Sequence, residues 1–155
     1  MTVHEGRWTA QLDGDFVVFL IGAEYRDETQ AEAGALLMAM IDMLAELEQD
    51  PSKGLLGYQV FGAVGGVIVQ YWRSFEALEE YAKNPDAKHA PVWRAWNQLA
   101  SDERSGSGIW HETFKVAAGG YEALYQNMPL TGLQKAGTPM TITEVRATAR
   151  QRLGP

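Results

Sequence analysis

Two histidines are the residues of this sequence best suited to proton transfer or metal ligation. His89 lies in the run DAKHAP, two residues before Pro91, and His111 lies in an alternating segment between Ile109 and Thr113. An imidazole changes charge near neutral pH and can also ligate iron. We expect His89 at a helix start, where a rigid element presents its end. On a strand, His111 is either a general base that faces an interior or a solvated side chain.

Tryptophan is the second chemical signal. The chain has five tryptophans in 155 residues, and indoles fill cores or line pockets for flat and apolar ligands. Trp93, Trp96 and Asn97 follow helical spacing, which places Trp93 and Asn97 on one face. The same spacing favours a core position for Trp96. Trp110 and Glu112 share a face of the strand that carries His111.

Apolar periodicity predicts the elements that position these residues. Residues 15–21, 55–61, 67–72 and 109–116 read as strands, the first extending back toward Trp8, and a turn at residues 62–66 joins the middle pair. Helices are predicted over residues 29–49, 74–83 and 88–99, with a break at Asn84-Pro85. This order predicts an α+β fold with a ferredoxin-like sheet and helices on one face.

The sheet faces indicate a second subunit. The first and third predicted strands are apolar on both sides, whereas the helices suffice for one side. We therefore predict a homodimer in which two sheets meet, a dimeric αβ barrel. The chain is predicted to form a single domain over residues 1–155, with a core of about 7–128 and a tail of about 129–155.

Composition excludes several classes of function. The absence of cysteine excludes thiolate catalysis and cysteine-ligated metals. A formal charge of -7 disfavours nucleic acid and anionic membrane surfaces as partners. No apolar run reaches the roughly 20 residues that span a bilayer, and residues 1–7 lack a signal-peptide pattern. The sequence predicts a cytoplasmic protein that binds a small molecule rather than a membrane or nucleic acid.

Several segments resemble one family. The run VQYWRSFEALE at residues 69–79 is similar to the third-strand-to-second-helix segment of antibiotic-biosynthesis-type monooxygenases. The segments DFVVFLIG (15–22), GLLGY (54–58), HAPVW (89–93), GIWHET (108–113) and YEALYQNMP (121–129) extend the resemblance over about residues 7–137. Together they resemble a family named after a fumagillin-pathway monooxygenase. The resemblance implies a dimeric αβ barrel, a fold that cofactor-free oxygenases, haem-degrading enzymes, haem-dependent aldoxime dehydratases and non-catalytic dimers share.

The resemblance also suggests roles for residues. The stretch from residue 78 to His89 is similar to the helix-to-histidine stretch of aldoxime dehydratases, and more loosely to that of haem-degrading relatives, where the histidine holds iron. Trp72, Tyr71, Arg73 and Asn97 are similar in type to the residues with which cofactor-free oxygenases bind a ring and hold an enolate. The candidate catalytic residues are therefore His89, His111, Trp72 and Asn97, and the candidate ligand-binding residues are Tyr71, Arg73, Trp93 and Trp110.

These residues lead to one main function and two alternatives. We predict a monooxygenase-type enzyme that acts on a small apolar or aromatic metabolite; its cofactor stays open, either none required or haem. The alternatives are a haem protein or aldoxime-dehydratase-like enzyme that uses His89, and a non-catalytic dimer that binds a small molecule. No metal site is predicted unless His89 binds haem. We expect the pocket between the sheet and residues 74–99, lined by several of Tyr71, Trp72, Trp93 and Trp110, and we expect His89 to matter more than His111.

Overall fold

The structure, a computed structural model, describes residues 2–26, 30–62, 66–84, 89–103, 106–143 and 146–154. The strands are β1 Val3–Gln11, β2 Phe16–Glu24, β3 Leu55–Phe61, β4 Val67–Trp72, β5 Gly108–Val116, β6 Tyr125–Pro129 and β7 Thr138–Thr141. The helices are α1 Gln30–Leu47, α2 Phe75–Lys83, α3 His89–Ser101, α4 Leu133–Ala136 and α5 Ala149–Leu153, with a short 3-10 helix over Pro51–Lys53. Most of the predicted 62–66 turn and residues 85–88, at the predicted helix break, lie outside the described residues.

The central sheet has the predicted ferredoxin-like arrangement. Its strand order is β3-β4-β2-β5, and every neighbouring pair is antiparallel. β2 lies in the middle, which suits its continuous apolar run, because both of its faces are covered or partly covered. The α+β prediction is confirmed. Among the described residues, no helix is both long and apolar enough to cross a membrane.

Three helices cover one face of this sheet, which we call the helix face. Val17, Ile21, Ile68 and Trp72 on the strands pack with buried leucines of α1 and α2. Ser74 begins α2 by accepting a hydrogen bond from the Ala77 backbone N–H at 3.1 Å, as an N-cap residue does. The helix face therefore carries the main hydrophobic core.

The other side, which we call the opposite face, is partly covered by both ends of the chain. Ala10, Leu12 and Phe16 form a second buried cluster there, against which tyrosines of β4 and of the segment after β5 pack. The sequence suggested that the first central strand extends back toward Trp8, but β1 and β2 are separate strands. Gly14, with a φ of 75°, lies in the turn between them, a conformation that glycine adopts at little steric cost.

β1 is the centre of a second, three-stranded sheet with the order β6-β1-β7. Residues 129–155, which the sequence indicated as a tail, thus supply β7, paired with β1, and the capped helix α5. Arg152 of α5 forms an ion pair with Glu122 of the same chain at 2.9 Å. The end of the chain therefore packs on its own subunit.

Candidate functional site

A cavity of about 300 Å³ lies between the helix face and helices α1, α2 and α3. Its floor is formed by alternate residues of three strands, namely Phe19, Ile21, Gln70, Trp72, His111 and Thr113. Its walls come from the three helices and include Met40, Met43, Leu44, Phe75, Leu78, Glu79, Tyr81, Ala82, Val92, Trp93 and Trp96. This is the position that the sequence predicted for the pocket, between the sheet and the second helical region.

Strand register sets the polar groups of the floor. Phe19 of β2 lies opposite Gln70 on one side and Thr113 on the other. His111 lies two residues before Thr113 on β5, and its ring centroid is 5.5 Å from that of Phe19. The His111 side chain is exposed, so it lies at the cavity rim. An amide, a hydroxyl and an imidazole thus surround one phenyl ring.

Gln70 and Trp72 form a buried pair at the bottom of the cavity. Trp72 has no exposed surface and Gln70 is 5% exposed. The Trp72 indole Nε1 donates to the Gln70 Oε1 at 2.9 Å. The Tyr81 ring lies 5.7 Å from the Trp72 ring, and burial raises the pKa of the Tyr81 hydroxyl, with a smaller contribution from the Glu46 charge. Tyr81 is therefore neutral over the physiological pH range.

The tryptophans of α3 form one wall. Trp93 is 38% exposed at the rim, whereas Trp96 is 2% exposed. Burial of Trp96 agrees with its predicted core position, and its ring also lines the cavity. The Trp96 indole Nε1 is buried without a hydrogen-bond partner among the described residues. Asn97 is exposed, donates its Nδ2 to the Trp93 carbonyl at 2.9 Å, and does not line the cavity.

Tyr71 and Trp110 do not join this site. Both lie on the opposite face, because successive residues of a strand point to opposite sides and their neighbours Trp72 and His111 face the helices. The expected convergence of Tyr71, Trp72, Trp93 and Trp110 is therefore wrong for Tyr71 and Trp110. Tyr71 instead packs in the second core cluster, and burial, helped by the nearby Tyr125, raises its pKa to about 12.

Arg73 is also outside the cavity. It lines a separate cleft of about 520 Å³ near the end of α1 and donates its Nη2 to the Ser52 carbonyl at 3.1 Å. Lys53, Asp50 and Glu46 line the same cleft, so it carries charges of both signs. The backbone of His89 begins α3, and its side chain lies outside the described part of the chain, so its predicted role stays a prediction.

Sequence reasoning missed Gln70, Phe19 and Thr113. A signal for Gln70 was available, since it is the single polar residue of the run VIVQYW and a lone amide in an apolar strand needs a partner. The lining has few charged residue types, because Glu79 is its one Asp, Glu, Lys or Arg among the described residues and it pairs with Lys83 at 2.7 Å. Within the described ranges, no group of three His, Asp or Glu side chains could hold a metal ion. The cavity therefore suits a neutral, largely apolar molecule.

The family described as Monooxygenase af470-like matches residues 16–133. The chain belongs to this family. The match runs from the start of β2 to the start of α4, so it includes every residue that lines the cavity. The predicted resemblance to a monooxygenase family of this fold is confirmed. No curated protein matches the chain.

Solved structures similar to this af470-like monooxygenase family member include a crystal structure of aldoxime dehydratase. That structure has a TM-score of 0.61 and 21% identity, and the match covers 96% of this chain and 43% of that chain. This chain thus spans less than half of that protein. A dimeric protein of ferredoxin-like fold from Bacteroides fragilis also matches, with a TM-score of 0.47 and 10% identity; the match covers 64% of this chain and 95% of that chain. The cofactor-independent oxygenase SnoaB from Streptomyces nogalater matches with a TM-score of 0.42 and 15% identity, over 66% of this chain and 92% of that chain. The likeness to the aldoxime dehydratase is one of fold.

Proposed function

We propose that this protein is a monooxygenase-type enzyme that oxidises a small, neutral, largely apolar or aromatic metabolite in the cavity on the helix face. The observation that carries the proposal is the composition of that cavity. Its lining is aromatic and aliphatic, with one exposed imidazole and one buried amide on the floor. Pockets of this size that bind small molecules are mostly apolar, with a few polar groups that fix orientation. Family membership supports the oxidative chemistry.

The positions of the side chains suggest a role for each in binding, in the exclusion of water or in proton transfer. Trp93 offers a flat surface at the rim, against which a ring can stack, whereas the fully buried Trp72 supports the floor from below. The helices exclude water from the floor, which is where a reactive anion needs protection. His111, at the rim and beside Phe19, is within the cavity lining and can accept a proton from a bound molecule.

The chemistry balances without an added reductant. His111 removes a proton from an acidic C–H or O–H of the substrate, and the resulting electron-rich anion reacts with molecular oxygen. A methylene that becomes a carbonyl consumes one O2 and releases one water, since the two hydrogens leave with the second oxygen atom. The substrate supplies the electrons, so this reaction needs no cofactor.

His111→Ala tests this assignment. Anthrone is a suitable probe, because its methylene is acidified by the ring and carbonyl and its oxidation to anthraquinone follows that stoichiometry. Oxygen consumption should fall by roughly 10²- to 10⁴-fold if His111 is the general base. His4→Ala is the matched control and should leave the rate unchanged, since His4 lies on β1 against Trp8. If His89→Ala abolishes turnover while His111→Ala does not, the base is His89, as the sequence predicted.

Haem binding is the second candidate function. His111 supplies an imidazole at the cavity, and the chain shares its fold with an aldoxime dehydratase. However, no Lys or Arg is among the described residues that line the cavity, so nothing there would pair with the carboxylates of a haem. The residues thus fit haem poorly. An absorbance titration with haem decides between the candidates, because a saturable Soret band that His89→Ala or His111→Ala shifts would favour the haem protein.

The opposite face supports the homodimer that the sequence predicted. Phe61, Phe114 and Trp110 are 54%, 49% and 39% exposed, and they lie on the part of that face which the ends of the chain leave open. Val67 and Val69 lie between them on β4 and are partly exposed. Exposed apolar patches of this kind mark interaction sites. We infer that a second copy covers the patch. A cytoplasmic location remains a prediction from the sequence.

A further inference from the structure

The hydrogen bond between Trp72 and Gln70 determines which end of the Gln70 amide is free. An indole nitrogen can only donate, so the Gln70 oxygen must be the atom that faces it at 2.9 Å. The Gln70 Nε2 is then left with two N–H donors. It makes no hydrogen bond within the described part of the chain, although Gln70 is 5% exposed and lines the cavity.

Trp96 provides an independent observation of the same kind. Its indole ring lines the cavity wall, and its buried Nε1–H has no acceptor among the described residues. Buried donors are almost always paired, with protein or with another molecule. The Gln70 Nε2 differs from the Trp96 Nε1 because it keeps some accessible surface in the cavity lining, so the Gln70 amide is the donor that an acceptor in the cavity can reach.

We propose that the molecule bound in this cavity carries an acceptor oxygen, a ketone or quinone carbonyl, which receives a hydrogen bond from the Gln70 Nε2. A pure hydrocarbon leaves the Gln70 Nε2 unpaired, and an ammonium group brings only further donors to it. This inference rests on the proposed function of the cavity and narrows its substrate class from apolar metabolites in general to those with a carbonyl.

The probes for the test are 1-tetralone and tetralin, which have the same two-ring skeleton and differ by the carbonyl. Quenching of tryptophan fluorescence gives the dissociation constant of each, and the ratio of the two constants measures the preference for the ketone. Gln70→Met keeps the side-chain length and removes the donor. It should lower the ketone preference by roughly three- to tenfold, the worth of one neutral hydrogen bond.

Gln134→Met is the matched control. Gln134 is 1% exposed on α4, outside the cavity, and its amide is also unpaired within the described residues. Its replacement should leave the ketone preference unchanged. Since Gln70→Met also removes the partner of Trp72, its fold is checked by circular dichroism.

Infrared spectroscopy gives a reading that needs no variant. The carbonyl stretch of ¹³C-labelled 1-tetralone bound to the wild-type protein should lie at lower wavenumber than in hexane, because a donated hydrogen bond weakens the C=O bond. A carbonyl stretch that does not shift overturns the inference. A ketone preference that Gln70→Met leaves unchanged overturns it as well. In either case an internal water satisfies the donors, and the cavity keeps its proposed function. If neither probe binds, the proposed function fails together with this inference.

Discussion

The two faces of the central sheet differ in whether their polar side chains have hydrogen-bond partners. On the helix face, the Gln70 Nε2 and the Trp96 Nε1 have no partner among the described residues. On the opposite face, the Tyr121 hydroxyl accepts from the Leu12 backbone N–H at 2.6 Å, and the Tyr125 hydroxyl accepts from the Leu133 N–H at 3.0 Å. The hydroxyls of Tyr121 and Tyr125 are thus paired within the subunit, whereas the two donors of the helix face are not.

The opposite face also holds two unpaired groups, of which the Tyr71 hydroxyl is one, since it makes no hydrogen bond within the described residues. Gln134, in α4 beside β1 and β3, is buried with both amide atoms unpaired among the described residues, and nothing in the structure explains it. Elsewhere the same strands supply both faces, so that adjacent residues such as Tyr71 and Trp72 belong to a structural cluster and to the candidate site respectively. The face on which each strand residue lies thus decides which aromatic side chains are functional candidates.

Truncation of Trp72 should have the largest effect on stability. Trp72→Ala removes a fully buried indole from the main core and leaves Gln70 without its partner, so the free energy of unfolding should fall by about 3–5 kcal/mol. Urea denaturation followed by circular dichroism measures it. Trp93→Ala, at the exposed rim, should cost less than about 1 kcal/mol. Equal losses in the two variants would show that the floor is no better packed than the rim.

Trp110→Glu should break the dimer without unfolding the subunit. The Trp110 indole packs against the Gly22 backbone, where a Cβ would lie 2.5 Å from the ring, so the side chain is fixed within the exposed patch. A charge in a desolvated aromatic contact should cost about 2 kcal/mol or more, roughly a 30-fold weaker dimer. Light scattering over a range of concentrations measures this. The patch is not the interface if Trp110→Glu leaves the dimer intact and Trp93→Glu, on the other side, dissociates it.

The sequence predicted the main helices and the central strands, but not which face of the sheet the helices cover. Spacings of three and four in residues 29–49 predicted α1, and the β-branched runs predicted the four central strands. Alternation showed that Tyr71 and Trp72 point apart, yet it could not say which side the helices cover, because both sides of β2 and β4 are apolar. β1 and β7 were missed since their partners lie more than a hundred residues away along the chain. Long-range pairing of that kind leaves no local pattern.

Removal of the Tyr121 hydroxyl should lower the free energy of unfolding by less than truncation of Trp72 does. Tyr121→Phe deletes the acceptor of the Leu12 N–H, which is then left unpaired in a partly buried position. The free energy of unfolding should fall by about 1–2 kcal/mol. Thermal and urea denaturation at neutral pH measure the loss. If Tyr121→Phe is as stable as the wild type, the hydroxyl pairing does not hold the chain end against the sheet.

Tyr71→Phe should have almost no effect at neutral pH, because the Tyr71 hydroxyl makes no hydrogen bond within the described residues. Its effect appears in alkali. Burial raises the folded-state pKa of Tyr71 from 10.0 to about 12, so between these values the unfolded chain loses the proton while the folded chain keeps it. The stabilisation is complete below pH 10 and declines as the pH rises toward 12. Wild-type stability should therefore fall more steeply than that of Tyr71→Phe over this interval, as measured by urea denaturation at a series of pH values. Parallel curves for the two proteins would mean that Tyr71 ionises as readily when folded as when unfolded, and that the opposite face is open to water at this point.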